Sequence, residues 1–322
     1  TAGERTKTEV AMLYDRTLAK PEFVAAVKKQ LEKVKIPVLF DTGYLAPFLQ
    51  RGSFSFFQEV GYTERPVTAC AKICEGKIVV LVNGSPFAMV LPYFFNENFQ
   101  SLDDYATKAY FASFVRVLKY GAFFMAVMLP GLFVSIAEYT PELFPPQLLY
   151  KVAAAETATP LPLFLEMVFV IVLLEIIREA GLRLPKPIGH SVSLVAALIV
   201  GDAATKAGIL STPVLIVAAL TTISMFVIPS LYEPATVLRI LFVLAGGLFG
   251  PFGILTLTFL MVLSICGMNS FGLPYTAPIV PFGKGALRDG ILRFPWQKLA
   301  QKPFNVNDLP GGEEKYEPER TD

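Results

Sequence analysis

Charge is scarce across the middle of this sequence. Residues 120–283 hold 6 Lys/Arg and 8 Asp/Glu, against 15 and 12 in residues 1–119 and 7 and 7 in residues 284–322. Fourteen charges cannot cover the water-facing surface of a 164-residue domain, so the middle of the chain is read as lying in a membrane, with water at both ends. Cysteine and histidine are also few, 3 and 1. Cys70 and Cys74 are spaced CxxxC on an expected helix and Cys266 sits in an apolar run, which makes a poor metal site and no disulfide framework; the three read as reduced, structural cysteines. The formal net charge is only +1, which gives no case for nucleic acid. No secretory signal pattern opens the chain, and a first residue of Thr1 rather than Met suggests a fragment or a processed chain. A phosphate-cradling glycine loop, a nucleophile elbow and a metal cluster are all missing, so the sequence argues against an enzyme and implies no cofactor.

What is present begins with an alternation of strand and helix signals over residues 1–100. Glu9–Asp15 reads as a strand. Pro21 opens a helix at a position that tolerates proline, with Phe23, Val24, Val27, Leu31 and Val34 at helical spacing. Residues 36–40 read as a second strand and 65–75 as a helix stopped by Gly76. Residues 77–83 and 87–93 read as two strands of a hairpin around Asn83-Gly84-Ser85-Pro86. The expected fold class is therefore an α/β N-terminal soluble domain followed by a polytopic α-helical membrane domain. Residues 101–119 read as an amphipathic, aromatic and basic helix at the interface, or alternatively packed on the soluble domain, with a capping box formed by Ser101 and Asp104.

Residues 120–137 are uncharged and long enough to span a bilayer. A loop is expected around Glu138, Glu142, Lys151 and Glu156, then an apolar segment at about 160–178. The stretch 188–201 is short for a span and suits a tilted, broken or re-entrant helix. Residues 207–232 and 240–283 are uncharged throughout, the latter long enough for two spans joined at Gly250-Pro251-Phe252-Gly253. About five to six membrane helices result. Lys/Arg cluster at 108–119, 178–186 and 284–302 and thin out at 138–156, which puts both termini on the cytoplasmic side. Residues 284–322 read as a basic segment and a flexible tail, and the membrane domain as 120–283.

Intramembrane polar groups are the candidate site. Glu166 sits among apolar neighbours about one turn inside the outer boundary, where a carboxylate needs a partner, a cavity or an ion path. Glu175 is nine residues on, about 900° around a helix, and so faces the other way. Glu175, Arg178 and Glu179 share a side and can pair, with Arg178 and Glu179 as a candidate ion pair. Asp202 either makes a local salt bridge to Lys206 or contributes to an ion site. Pro185, Pro187 and Gly189 precede the lone His190, which reads as a hydrogen-bonded structural residue or a pH sensor. Gly246, Gly250 and Pro251 mark a helix break, either a tight helical hairpin or a hinge lining a pore.

Several stretches together carry a resemblance: YTERP at 62–66, VNGSPF at 82–87, FQSLDDY at 99–105, REAGLRLPKPIGHSVSLVAALIVGDAATKAGILS at 178–211 and NSFGLPYTAPIVPF at 269–282. The chain resembles the A-subunit family of spore-germination receptors (GerA-type), which includes stage V sporulation protein AF. Family members usually carry a further N-terminal soluble subdomain, so this chain looks like the second subdomain plus the membrane part. The resemblance implies a multi-pass protein of the inner spore membrane that forms homo-oligomers around a ligand-gated path for monovalent cations. It implies a B-type transporter-like subunit and a C-type lipoprotein as partners. The alternatives are a sporulation-specific membrane assembly or accessory protein of the same family, or a secondary transporter, though no pair of matching inverted halves is found.

Overall fold

The computed structural model describes residues 2–50, 55–184, 199–280, 289–299, 305–306 and 309. Helices dominate, and a small sheet lies near the N-terminus. The chain divides into two compact units, one formed by residues 1–118 and 262–322 and the other by 119–261.

The first unit is built on a four-stranded antiparallel sheet of β1 (Val10–Leu13), β2 (Gly61–Thr63), β3 (Ile78–Val82) and β4 (Ala88–Leu91), in the order β1-β3-β4-β2. The unbroken apolar run of β3 has a reason, because both faces of the sheet are covered. Ile78, Val80, Val82, Met89 and Leu91 face a core shared with Val27 of helix α1 (Pro21–Glu32). Val79, Ala88 and Val90 face Ala69 and Ile73 of helix α2 (Pro66–Cys74). Gly76 follows α2 at φ +84, the left-handed conformation expected of a glycine that ends a helix.

Residues 36–40 are not a strand. Pro37 has no N–H to give a ladder, and the segment is tied instead to the chain start. Glu4 N–H donates to the Ile36 carbonyl and Arg5 N–H to the Pro37 carbonyl. The Thr8 hydroxyl donates to the Leu39 carbonyl at 2.8 Å. The edge strand β2, in contrast, is too short to give a period.

Residues after 267 complete this unit. A two-stranded hairpin, β5 (Asn269–Ser270) and β6 (Leu273–Pro274), turns at Phe271-Gly272, both at positive φ. Phe271 is 7% exposed, belongs to the sheet's main core and meets the Phe23 ring edge-on, with centroids 5.2 Å apart. The Ser270 hydroxyl donates to the Glu59 carbonyl.

Two charged clusters are buried here. Lys77 and Glu97 form a close ion pair, and Lys72 reaches Glu97 at 3.2 Å and Glu75 at 2.9 Å. Burial alone would push the Glu97 carboxyl up, but Lys72 and Lys77 outweigh it and hold Glu97 below its ordinary value. Arg116, wholly buried, donates to Asp104 and Asp289, each at 2.9 Å, and to the Gly290 carbonyl at 3.0 Å. Asp104 also accepts from the Ser101 N–H at 3.1 Å, the backward half of a capping box.

The second unit is helical. Helix α3 (Ala109–Tyr139) runs without interruption through residue 119, although its first ten residues belong to the first unit. Helix α4 (Pro146–Thr157) occupies the stretch expected as a loop. Its charges, Lys151 and Glu156, face outward, while Val152 is buried against Phe133, Leu163 and Val214, and Pro146 opens it at the first helical position. Helix α5 (Leu163–Arg183) follows, residues 199–206 are helical, and α6 (Thr212–Phe226) and α7 (Tyr232–Gly267) complete the unit. The uncharged run 207–232 therefore yields only a 15-residue helix, because Pro213 and Pro229 set its limits. By length and composition, two helices among the described residues are long and apolar enough to cross a membrane, Ala109–Tyr139 and Pro229–Gly267.

Candidate functional site

Glu166 lies in the first turn of α5, which starts after Pro162. It is 1% exposed, on a helix whose Leu163, Met167 and Val170 are buried in an apolar cluster with Leu210 and Val214. Its Oε2 accepts from the Ser211 N–H at 3.1 Å and from the Ser211 hydroxyl at 2.6 Å. Ser211 is the N-cap of α6. The carboxylate thus sits at two helix N-termini, its own and that of α6, whose partial positive charges stabilise an anion. This arrangement explains how a buried carboxylate persists with no basic side chain paired to it among the described residues. Oε1 has no hydrogen-bond partner among them.

The glycine-rich stretch lies in α7. Gly250 takes φ 60 and ψ −145 and breaks the helix. A Cβ on Gly253 would stand 2.3 Å from the Ala245 carbonyl oxygen, and one on Gly246 would stand 3.2 Å from Ile254. Residues eight apart in a straight helix are separated by about 12 Å along the axis. The chain therefore doubles back at Gly250, and α7 is two antiparallel legs. Pro251 opens the second leg, where its missing N–H costs nothing. The first leg ends with carbonyls that have no helical partner. Tyr139 supplies one: its hydroxyl donates to the Gly247 carbonyl at 2.9 Å and the Leu248 carbonyl at 3.0 Å. Gly246 also lies against Gly131 of α3, backbone on backbone, since a Cβ there would stand 2.4 Å from the Gly131 oxygen.

Glu175 lines a different place. It accepts from Arg178 at 3.4 Å, while Glu179 pairs with Arg183 at 2.9 Å. Arg178 and Glu179 are adjacent, and side chains one residue apart project about 100° from each other, so each takes a partner three or four residues away. Asp202 and Lys206 form an exposed pair at 2.7 Å. Pro185, Pro187, Gly189 and His190 lie outside the described residues. The structure brings Glu166 to Ser211 and Glu175 to Arg178, and brings neither pair to Asp202.

Three residues here escape sequence reasoning. Ser211 and Tyr139 carry no pattern that marks them, because their roles are fixed by the packing of distant helices. Arg239 does carry one, a lone cation at the head of a long apolar run. It is 3% exposed and donates from Nε to the Ala126 carbonyl at 3.0 Å.

A small antiparallel sheet flanked by helices, joined to a helical unit whose described residues include two apolar helical stretches, 109–139 and 229–267, the second folded back at Gly250, defines a helical protein suited to membrane association. Residues 1–305 match the family described as Bacillus/Clostridium GerA spore germination protein, and the chain belongs to that family. It is 36% identical over 94% of its length to a Bacillus subtilis (strain 168) protein named "Uncharacterized membrane protein YfkQ", covering 59% of that protein. It is 33% identical over 95% of its length to spore germination protein KA of the same organism, covering 56% of it. It is 34% identical over 94% of its length to spore germination protein GerLA of Bacillus cereus, covering 62%. The chain thus spans about three-fifths of the length of these relatives. No solved structure matches it.

Proposed function

We propose that this chain is the membrane portion, with an adjoining α/β unit, of a non-enzymatic GerA-type germinant receptor subunit. In this reading it makes five to six crossings of the inner spore membrane with both termini in the cytoplasm. It forms a homo-oligomer around a ligand-gated path for monovalent cations and works with a B-type transporter-like subunit and a C-type lipoprotein. Membership of the GerA family supports the receptor assignment.

The observation that carries the cation path is Glu166. One of its oxygens is fixed by Ser211 and the other has no partner among the described residues. Intramembrane carboxylates in that state commonly serve cations. The α/β unit reads as a coupling or docking module, because the buried charges of Lys77, Glu97, Arg116 and Asp104 are spent on ion pairs within it.

The test is cation flux from potassium-loaded liposomes containing the purified chain. Flux that falls or changes its potassium-to-sodium preference in Glu166→Gln, at normal protein abundance, supports the reading. Unchanged flux and selectivity removes Glu166 from the path. A second reading, a non-conducting assembly protein of the same family, is favoured by the two hydrogen bonds that make Glu166 part of the α5–α6 packing. It predicts no flux from the unmodified protein and poor assembly of Glu166→Gln. Saturable, substrate-coupled flux would point to a secondary transporter instead.

A further inference from the structure

The helical unit contains a cavity of about 80 Å³ whose polar lining is Glu175, Arg178, Thr222, Tyr232 and Arg239. Two of these are guanidinium groups and one is a carboxylate. Glu175 is committed to Arg178, which also lies over the Tyr232 ring. Arg239 has no carboxylate within 4 Å among the described residues. Its Nη2 is buried and has no hydrogen-bond partner among them. A buried guanidinium with an unused donor, in an apolar unit, leaves a charge uncompensated. Leu174, Met225 and Phe226 supply an apolar wall beside it.

We propose that this cavity binds a phosphate-class oxyanion, held by Arg239 Nη2 and Arg178. The guanidinium fork matches phosphate oxygens, and charge-assisted bonds of this kind are the strong ones. The volume exceeds what a single water needs and accommodates a phosphate group. Two sources offer that chemistry, the headgroup of an anionic phospholipid and free phosphate. The apolar wall gives a lipid a further contact that free phosphate cannot use. The site lies apart from Glu166 and does not depend on whether the protein conducts.

The experiment is thermal unfolding of the purified, delipidated full chain in a neutral detergent. Phosphatidylglycerol, phosphatidylcholine and inorganic phosphate are titrated separately at fixed ionic strength. A saturable rise in the unfolding midpoint of about 3 °C with phosphatidylglycerol alone identifies a lipid. The same rise with inorganic phosphate identifies the free anion. In either case the rise must vanish in Arg239→Gln and shrink in Arg178→Gln, and persist in Arg183→Gln. Arg183 is an exposed cation on the same helix, paired with Glu179. Should Arg239→Gln fail to fold, Arg178→Gln carries the test, because Arg178 is only partly buried. No saturable rise with either ligand, or a rise equally lost or equally kept in all three variants, overturns the proposal.

Discussion

At the scale of the residue, both units solve the same difficulty, a charge removed from water, in different ways. Glu166 is compensated by helix N-termini, and Glu97 by two lysines. The two arrangements predict different responses. Glu166→Gln keeps an acceptor for Ser211 but weakens a charge-assisted bond to a neutral one, a loss of about 1 kcal/mol. Ser211→Ala removes the hydroxyl donor and should cost about 1–2 kcal/mol. The double variant should lose less than the sum, since both act on one contact. Denaturant unfolding of the four proteins in micelles checks this, and strict additivity would dissolve the pair. Glu97 differs because its charge is the counterion of two lysines. Its folded-state pKa is depressed, so its contribution is fully present above its ordinary value of 4.5 and is lost as pH falls from there through the folded value. Glu97→Gln should therefore flatten the acid limb of the stability profile. At neutral pH it should cost about 3 kcal/mol, because Lys77 would be left buried with only the more distant Glu75, at 3.8 Å, as counterion. Midpoints recorded from pH 3 to 7 for both proteins test the sign: an acid limb as steep in the variant as in the parent would contradict it.

At the scale of the element, α3 and α7 approach backbone to backbone at Gly131 and Gly246. A Cβ on either would fall 2.4 Å from a backbone oxygen of the facing helix. Backbone cannot yield as a flexible side chain can, so Gly246→Leu should force the helices apart and cost more than the about 1–3 kcal/mol of ordinary overpacking. Gly267→Leu is the control, because nothing lies within 4 Å of its missing Cβ. Comparable melting of the two variants would mean the contact is not close. Glycine and proline marked the break at Gly250-Pro251 in the sequence but gave no sign that Gly131 is the partner of Gly246, and α1, α2, β3 and β4 were legible from periodicity and caps. Residues 36–40 were misleading because β-branched and apolar composition says nothing about Pro37's missing donor. Helix α4 was hidden because charges on its outer face masked one buried row centred on Val152. Glu166 was legible as an anomaly, but Ser211 was not, since 45 residues separate them and only the packing of α5 on α6 joins them.

At the scale of the whole molecule, the α/β unit is discontinuous in sequence. Its sheet comes from residues 10–91, yet part of its core arrives from beyond residue 267. Phe271 packs with Val27, Ile78 and Met89, and its ring meets Phe23. Phe94 shares a second cluster with Leu273, Ala277, Val306 and Leu309. The composition of residues 268–280 resembles the end of a membrane segment, which is why sequence patterning assigns it there. Removing a buried phenylalanine costs about 3–5 kcal/mol, a large part of the total stability of about 5–15 kcal/mol typical of a domain. A fragment ending at residue 100 loses Phe271 together with Leu273 and Ala277. It should therefore unfold without a cooperative transition, or with a midpoint far below that of the same fragment joined by a flexible linker to residues 268–309. Circular dichroism melts of the two fragments, with Phe271→Ala in the joined version as a third sample, decide the matter. The joined fragment should melt cooperatively and the Phe271→Ala version at an intermediate temperature. A fragment of residues 1–100 that melts as cooperatively and as high as the joined one would show that the C-terminal hairpin only rests on the unit and does not complete it.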